Sequence, residues 1–166
     1  MNPYAVAALL VGTAALQVIV TPHLAVAGVR PNLPLVVVTA WGLLRGSGEG
    51  IWWGLGAGLA TDLFAGTPMG LFASGLTLSG LVAGMGERQV FRTHIVMPAL
   101  MIAVNTVLAG LIAMGVMKLL DWPVRFGTTI ATSILPEAAY NIVVMFLLFP
   151  FLSWLSRKTE GETIGY

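Results

Sequence analysis

Apolar residues fill this chain in long runs broken by short polar clusters, and the length of each run sets the first expectation. A helix crossing the hydrocarbon core of a bilayer needs roughly 20 mostly apolar residues, with about 17 to 25 observed. By that measure helices are expected near 3–21, 31–45, 50–65, 68–86 and 94–117, with a last one ending near 155. The second and third are short and are separated only by RGSGEG. A re-entrant hairpin with four full spans would place Arg45 and Glu49 near the bilayer middle, where each charge costs at least ~2.5–3.5 kcal/mol. Six spans avoid that cost, and either arrangement leaves both termini on one side.

Composition turns the pattern into a class. Of 166 residues, 57% are hydrophobic and only 9% charged, with a mean hydropathy of +0.91. Soluble domains carry about 25% charged residues, so the expectation is an all-α integral membrane protein. The net charge of +1 gives no nucleic-acid footprint. There are no cysteines, which excludes disulfides, thiol catalysis and cysteine-ligated metal. The run from Met1 to Val20 has no Lys or Arg before its apolar stretch, unlike a signal peptide, and is expected to be a retained first span. No internal repeat is visible. We expect one transmembrane helical domain, 1–156, followed by a short cytoplasmic tail, 157–166.

Charge placement orients the bundle. With a cytoplasmic N-terminus, the inner face carries Arg45, Arg88, Arg92, Arg157 and Lys158, and the outer face Arg30, Lys118 and Arg125. Trp41, Trp52, Trp53 and Trp154 would then mark the inner interface and Trp122 the outer one. Both termini are expected in the cytoplasm.

The chemistry-bearing residues are few. Gly46, Gly50, Gly54 and Gly58 recur every four residues, and the next step is Asp62. Positions four apart rotate only about 40° around a helix, so Gly50 to Asp62 form one slowly turning stripe. Such a stripe admits another helix backbone closely, and Gly80 and Gly84 in the fourth helix repeat the spacing. Asp62 precedes AGTPMG, in which Gly66 suits a helix C-cap, Thr67 an N-cap and Pro68 a first helical turn. The carboxylate is expected to accept hydrogen bonds from the start of the fourth helix, clasping the hairpin; contact with a ligand or partner is the competing role.

In the last helix Thr129, Ser133, Glu137 and Asn141 are again four apart. Pro136 removes a backbone donor, so the helix should kink or begin there. Glu137 then lies near the outer end at the level of Asp62, with Asn105 able to join it. The stripe provides either interhelical hydrogen bonds or a polar cavity open to the outside. His23 and His94 fall at helix ends on opposite sides and make no metal site. No HExxH, phosphate loop or Ser-His-acid order is present, and no enzyme activity, cofactor or metal is expected.

Two stretches together resemble a known family: LQVIVTPHLAVAGVRPNLPLVVV and GEGIWWGLGAGLATDLFAGTPMGLFASGLTLSGLVAG. Gln17, Pro22, Pro31, Asn32, Gly54, Gly58, Asp62, Leu63, Gly66, Pro68 and Gly70 carry a resemblance to MreD, the rod shape-determining membrane proteins of bacteria. Family members more often have Asp where Asn32 stands. The resemblance implies a multi-pass protein of the bacterial inner (cytoplasmic) membrane, a non-enzymatic scaffold of cell elongation. It implies binding to the single-span protein MreC and support of the RodA glycosyltransferase and its class B penicillin-binding transpeptidase in peptidoglycan synthesis. It further implies a six-helix bundle like the S components of energy-coupling-factor vitamin transporters, and vitamin capture is the rival function. The candidate packing or partner residues are Gly50, Gly54, Gly58, Asp62, Gly66, Pro68, Gly70, Asn32, Arg30, Glu137 and Asn141. The lipid bilayer is the surrounding partner, and a homodimer stays open.

Overall fold

The computed structural model describes residues 3–26, 28–86, 96–123 and 126–160. The chain is all-α: α1 Pro3–Ile19, a 3-10 turn Thr21–Leu24, α2 Leu33–Ala65, α3 Leu71–Met85, α4 Val96–Leu119, α5 Phe126–Thr129, a π-helical turn Ile130–Ile134, and α6 Leu135–Glu160. Among the described residues, Val96–Leu119 and Gly127–Thr159 are long and apolar enough to cross a membrane unaided, and Val6–Ile19 and Leu71–Met85 are shorter apolar helices.

The expected second and third helices are one element folded on itself. Within α2 only Gly46 leaves helical geometry, at φ 83 and ψ 176. A β-carbon strongly disfavours that region, so the fold-back depends on glycine there. Trp41 and Trp53 stack with ring centroids 4.0 Å apart, whereas twelve residues of straight helix would separate them by about 18 Å. The expected six-residue loop is therefore a one-residue turn, with Arg45, Ser47 and Glu49 all helical. Glu49 accepts the Trp41 indole N–H at 2.9 Å. Trp41 and Trp53 are buried within the bundle, whereas Trp52, Trp122 and Trp154 are exposed.

The two arms of α2, 33–45 and 47–65, are about 20 and 28 Å long. The longer arm lies against α3 so closely that backbones touch. A methyl group at Gly54 would enter the Leu76 backbone, one at Gly58 the Ala73 backbone, and one at Gly80 the Gly50 carbonyl. Gly84 makes the same close approach to Ser47, and Ser47 Oγ donates to Leu81 O at 3.2 Å. The glycine stripe is thus used inside the chain. In lipid, apolar side chains gain nothing by leaving hydrocarbon for each other, so such contact is how helices hold together.

Around this pair α1 packs on α2, α4 on α3 and α6, and α6 on α2. The core joins Leu10, Leu35, Val36, Val38, Trp41, Leu76, Ile102 and Met145. At the Gly46 end, Arg45 Nη2 donates to Ser156 O at 3.2 Å and to Thr159 Oγ1 at 2.6 Å. Its guanidinium lies 5.7 Å from the Trp41 ring centroid. The helix continues past residue 157 to Glu160, so Arg45 ties the turn to what was expected as tail; residues 161–166 lie outside the described residues.

Alanine at Gly54 or Gly80 should lower stability by about 1–3 kcal/mol through overpacking, read as a lower melting temperature in detergent. Alanine at Gly115, where a β-carbon meets nothing within 4 Å, should leave melting unchanged.

Candidate functional site

At the end of the bundle opposite Gly46, Asp62 is 1% exposed and fully engaged. Its Oδ1 accepts from Thr67 Oγ1 and Phe72 N at 2.9 Å each, and its Oδ2 from Gly70 N at 2.9 Å and Ala73 N at 3.2 Å. Three of these donors are backbone N–H groups at the start of α3, which have no intrahelical partner. The charge also faces the positive end of that helix. Gly66 caps α2 at φ 64, donating to Asp62 O. One expectation fails: α3 starts at Leu71 with Gly70 as N-cap, not at Thr67 and Pro68. Those residues form the turn before it, with Leu71 N donating to Pro68 O at 3.1 Å. The distant carboxylate replaces the local cap because it reaches three donors, where a Thr67 hydroxyl would reach one or two.

Beside this clasp lies a network of amides. Asn32 caps the short arm of α2 by accepting from Leu35 N at 3.2 Å, while its own N–H donates to Asn141 Oδ1 at 2.8 Å. Asn141 Nδ2 donates to Thr106 Oγ1 at 3.0 Å. Glu137 lies beside the Asn32 and Asn141 side chains. An aspartate at 32 would set a second carboxylate against Glu137, whereas the amide offers donors. Gln17 completes the set from α1, accepting from Leu33 N at 2.8 Å and donating to Pro31 O at 3.1 Å. Asn105 does not join Glu137. It turns the other way, donating to Thr39 Oγ1 at 2.9 Å and Ser79 O at 3.0 Å, and its neighbour Thr106 takes the expected place.

The last α-helix begins at Leu135, which puts Pro136 and Glu137 in its first turn as the proline led one to expect. The chain widens into a π turn just before it, with Leu135 N donating to Ile130 O. Proline lacks the N–H that an α-turn would use here, and the single wide turn absorbs the fault, as π-bulges do. That turn sets Thr132 and Ser133 on the wall of a cavity of about 450 Å³. Glu137, Arg30, Asn32, Gln17 and Thr106 line its polar side, and Val29, Leu71, Phe72, Leu76 and Ala109 its apolar side. The short arm of α2 has six residues fewer than the long one, about 9 Å of helix, and residues 29–32 line the cavity at its end.

The structure therefore brings Arg30, Asn32, Glu137 and Asn141 to one place and Asp62, Gly66, Pro68 and Gly70 to an adjoining one. Gly50, Gly54 and Gly58 lie apart, along the α2–α3 contact. Gln17 and Thr106 are the residues that motif reading did not single out as site members. Gln17 was visible only through the family resemblance, and Thr106 carried no signal beyond being polar in an apolar helix. His23 contacts Ile19 O through Nδ1 at 3.1 Å. His94, Arg88, Arg92 and Arg125 lie outside the described residues. Among the described residues, no group of three or more His, Asp or Glu side chains converges as a metal site would.

The chain matches the family described as rod shape-determining protein MreD over residues 1–159. No curated protein matches it, and no solved structure does.

Asp62→Asn keeps the two contacts made by one oxygen but turns an amide toward the donors of the other. Asp62→Leu leaves all four donors without an acceptor, at about 1–3 kcal/mol for each that stays buried. Melting temperature should fall in the order wild type, Asn, Leu, as measured by tryptophan fluorescence of the purified chain.

Proposed function

The chain belongs to the rod shape-determining protein MreD family, and on that footing we propose that it is a six-span scaffold of the cell-elongation complex in the bacterial inner membrane. The membership itself gives it a membrane setting and a role in determining rod shape, in a family of structural rather than catalytic proteins. In our reading it binds an MreC-like single-span protein and through it supports the RodA glycosyltransferase and its partner transpeptidase. Both termini are cytoplasmic.

One observation supports a specific docking face. A scaffold in lipid recruits a helix through small residues that allow close approach, and two such faces exist in the chain. The glycines of α2 are occupied by α3. The ridge of α1 through Ala8 and Gly12 is open: Ala8 is exposed, and a β-carbon at Gly12 would meet nothing within 4 Å. Leu10 and Ala14, on the opposite side of α1, are the ones buried on the bundle. We therefore assign the partner's single span to the Ala8–Gly12 ridge, with Arg30 at the adjacent end facing its extracytoplasmic segment. Arg125, also expected there, lies outside the described residues.

The test is co-purification of the tagged full chain with an MreC-like protein from membranes expressing both. Gly12→Leu should reduce recovery of the partner at least tenfold while melting stays at the wild-type value, and Gly115→Leu should do neither. Undiminished recovery in Ala8→Leu/Gly12→Leu would remove α1 as the docking face. Riboflavin, thiamine and biotin should not raise the melting temperature at micromolar concentration; stabilisation by one of them, as linkage demands of a ligand, would favour vitamin capture over scaffolding.

A further inference from the structure

The cavity beside the Asp62 clasp is lined by one acidic and one basic side chain that do not pair with each other. Glu137 lies beside the Asn32 and Asn141 side chains, and Arg30, on the exposed segment before α2, also lines the cavity. Among the described residues neither forms an ion pair. A carboxylate offers about four acceptor positions, and Glu137 presents its own to the cavity it lines. A guanidinium presents a planar fork suited to phosphate. Along the other wall Leu71, Phe72 and Leu76 are apolar.

We infer that this cavity binds a zwitterion bearing a primary ammonium and a phosphate, of the phosphoethanolamine type, with its ammonium on Glu137 and its phosphate on Arg30. Three features select that chemistry. A lone cation or lone anion would answer only one of the two charges. A quaternary ammonium needs an aromatic cage, and among the described residues the lining has a single aromatic, Phe72, whereas a primary ammonium donates hydrogen bonds that Glu137 and the Thr132 and Ser133 hydroxyls can accept. The cavity also opens between the start of α3 and the first turn of α6 and reaches down to Thr106 of α4; on the six-span reading proposed above, that end of the bundle meets the phospholipid headgroups. The apolar wall of the cavity suits the glycerol and upper acyl carbons of a lipid. The lining is thus compatible with an ethanolamine phospholipid or with a soluble phosphoethanolamine.

The experiment purifies the full chain from vesicles of equal parts phosphatidylethanolamine, phosphatidylcholine and phosphatidylglycerol, and measures retained lipid per protein by mass spectrometry. The ethanolamine lipid should be retained at least fivefold over the choline lipid. Glu137→Gln should abolish that preference, and Arg30→Gln should lower retention of the ethanolamine lipid severalfold. Arg30 is exposed, so its variant keeps the proposal testable if Glu137→Gln does not fold. Delipidated protein is then titrated with O-phosphoethanolamine. A raised melting temperature that Arg30→Gln removes identifies a soluble source for the same chemistry, and no shift identifies the lipid. Equal retention of the ethanolamine and choline lipids without a response to O-phosphoethanolamine, or a preference untouched by both substitutions, overturns the proposal.

Discussion

The close contact between the long arm of α2 and α3 is the constraint from which the rest of the architecture follows. Two helices in lipid gain nothing by hiding apolar side chains from hydrocarbon, so their association rests on close packing and on polar groups that must be satisfied internally. Gly50, Gly54, Gly58, Gly80 and Gly84 remove the side chains that would hold the backbones apart. Once the two helices lie this close, a short connection at one end and a carboxylate at the other suffice to lock them. Asp62 supplies the lock because it reaches donors of the turn and of the helix together.

The fold-back at Gly46 sets the second tier. A one-residue turn leaves no slack, and the short arm has six residues fewer than the long one. Asn32, Gln17 and Asn141 satisfy the backbone groups at the end of the short arm, where residues 29–32 line the cavity. The π turn before Pro136 belongs to the same logic, since it places Thr132 and Ser133 on the cavity wall while keeping the last helix continuous. The open ridge of α1 and the cavity involve separate residues: Ala8 and Gly12 lie on α1, and neither lines the cavity.

Much of this was legible in the chain, for identifiable reasons. The four-residue glycine period is a strong signal because few other arrangements use it, and Asp62 before a Gly-Thr-Pro turn announces a role at a helix junction. The stripe from Thr129 to Asn141 marked a polar face but not its partner, since Asn32 lies 109 residues away from Asn141 in sequence and nothing local connects them. RGSGEG has the composition of a loop yet is helical on both sides of Gly46, because Ser47 and Glu49 find partners in Leu81 O and Trp41 that only the folded bundle provides. Tryptophan in a membrane chain suggests an interface, but that rule says nothing of the stacking of Trp41 on Trp53, which is a tertiary event. Arg45 was counted as a topology charge, but it also fastens the turn to the end of α6.

The fold-back at Gly46 is tested most directly by a distance. The chain has no cysteines, so spin labels can be placed specifically at Arg30→Cys and Leu63→Cys, near the far ends of the two arms. Pulsed electron paramagnetic resonance on the full chain in nanodiscs should give a single distribution centred at about 15–25 Å, the separation expected of antiparallel packed arms. A distribution centred near or beyond about 50 Å, the span of an uninterrupted helix across these residues, would contradict the hairpin and with it the glycine contact, the clasp and the cavity.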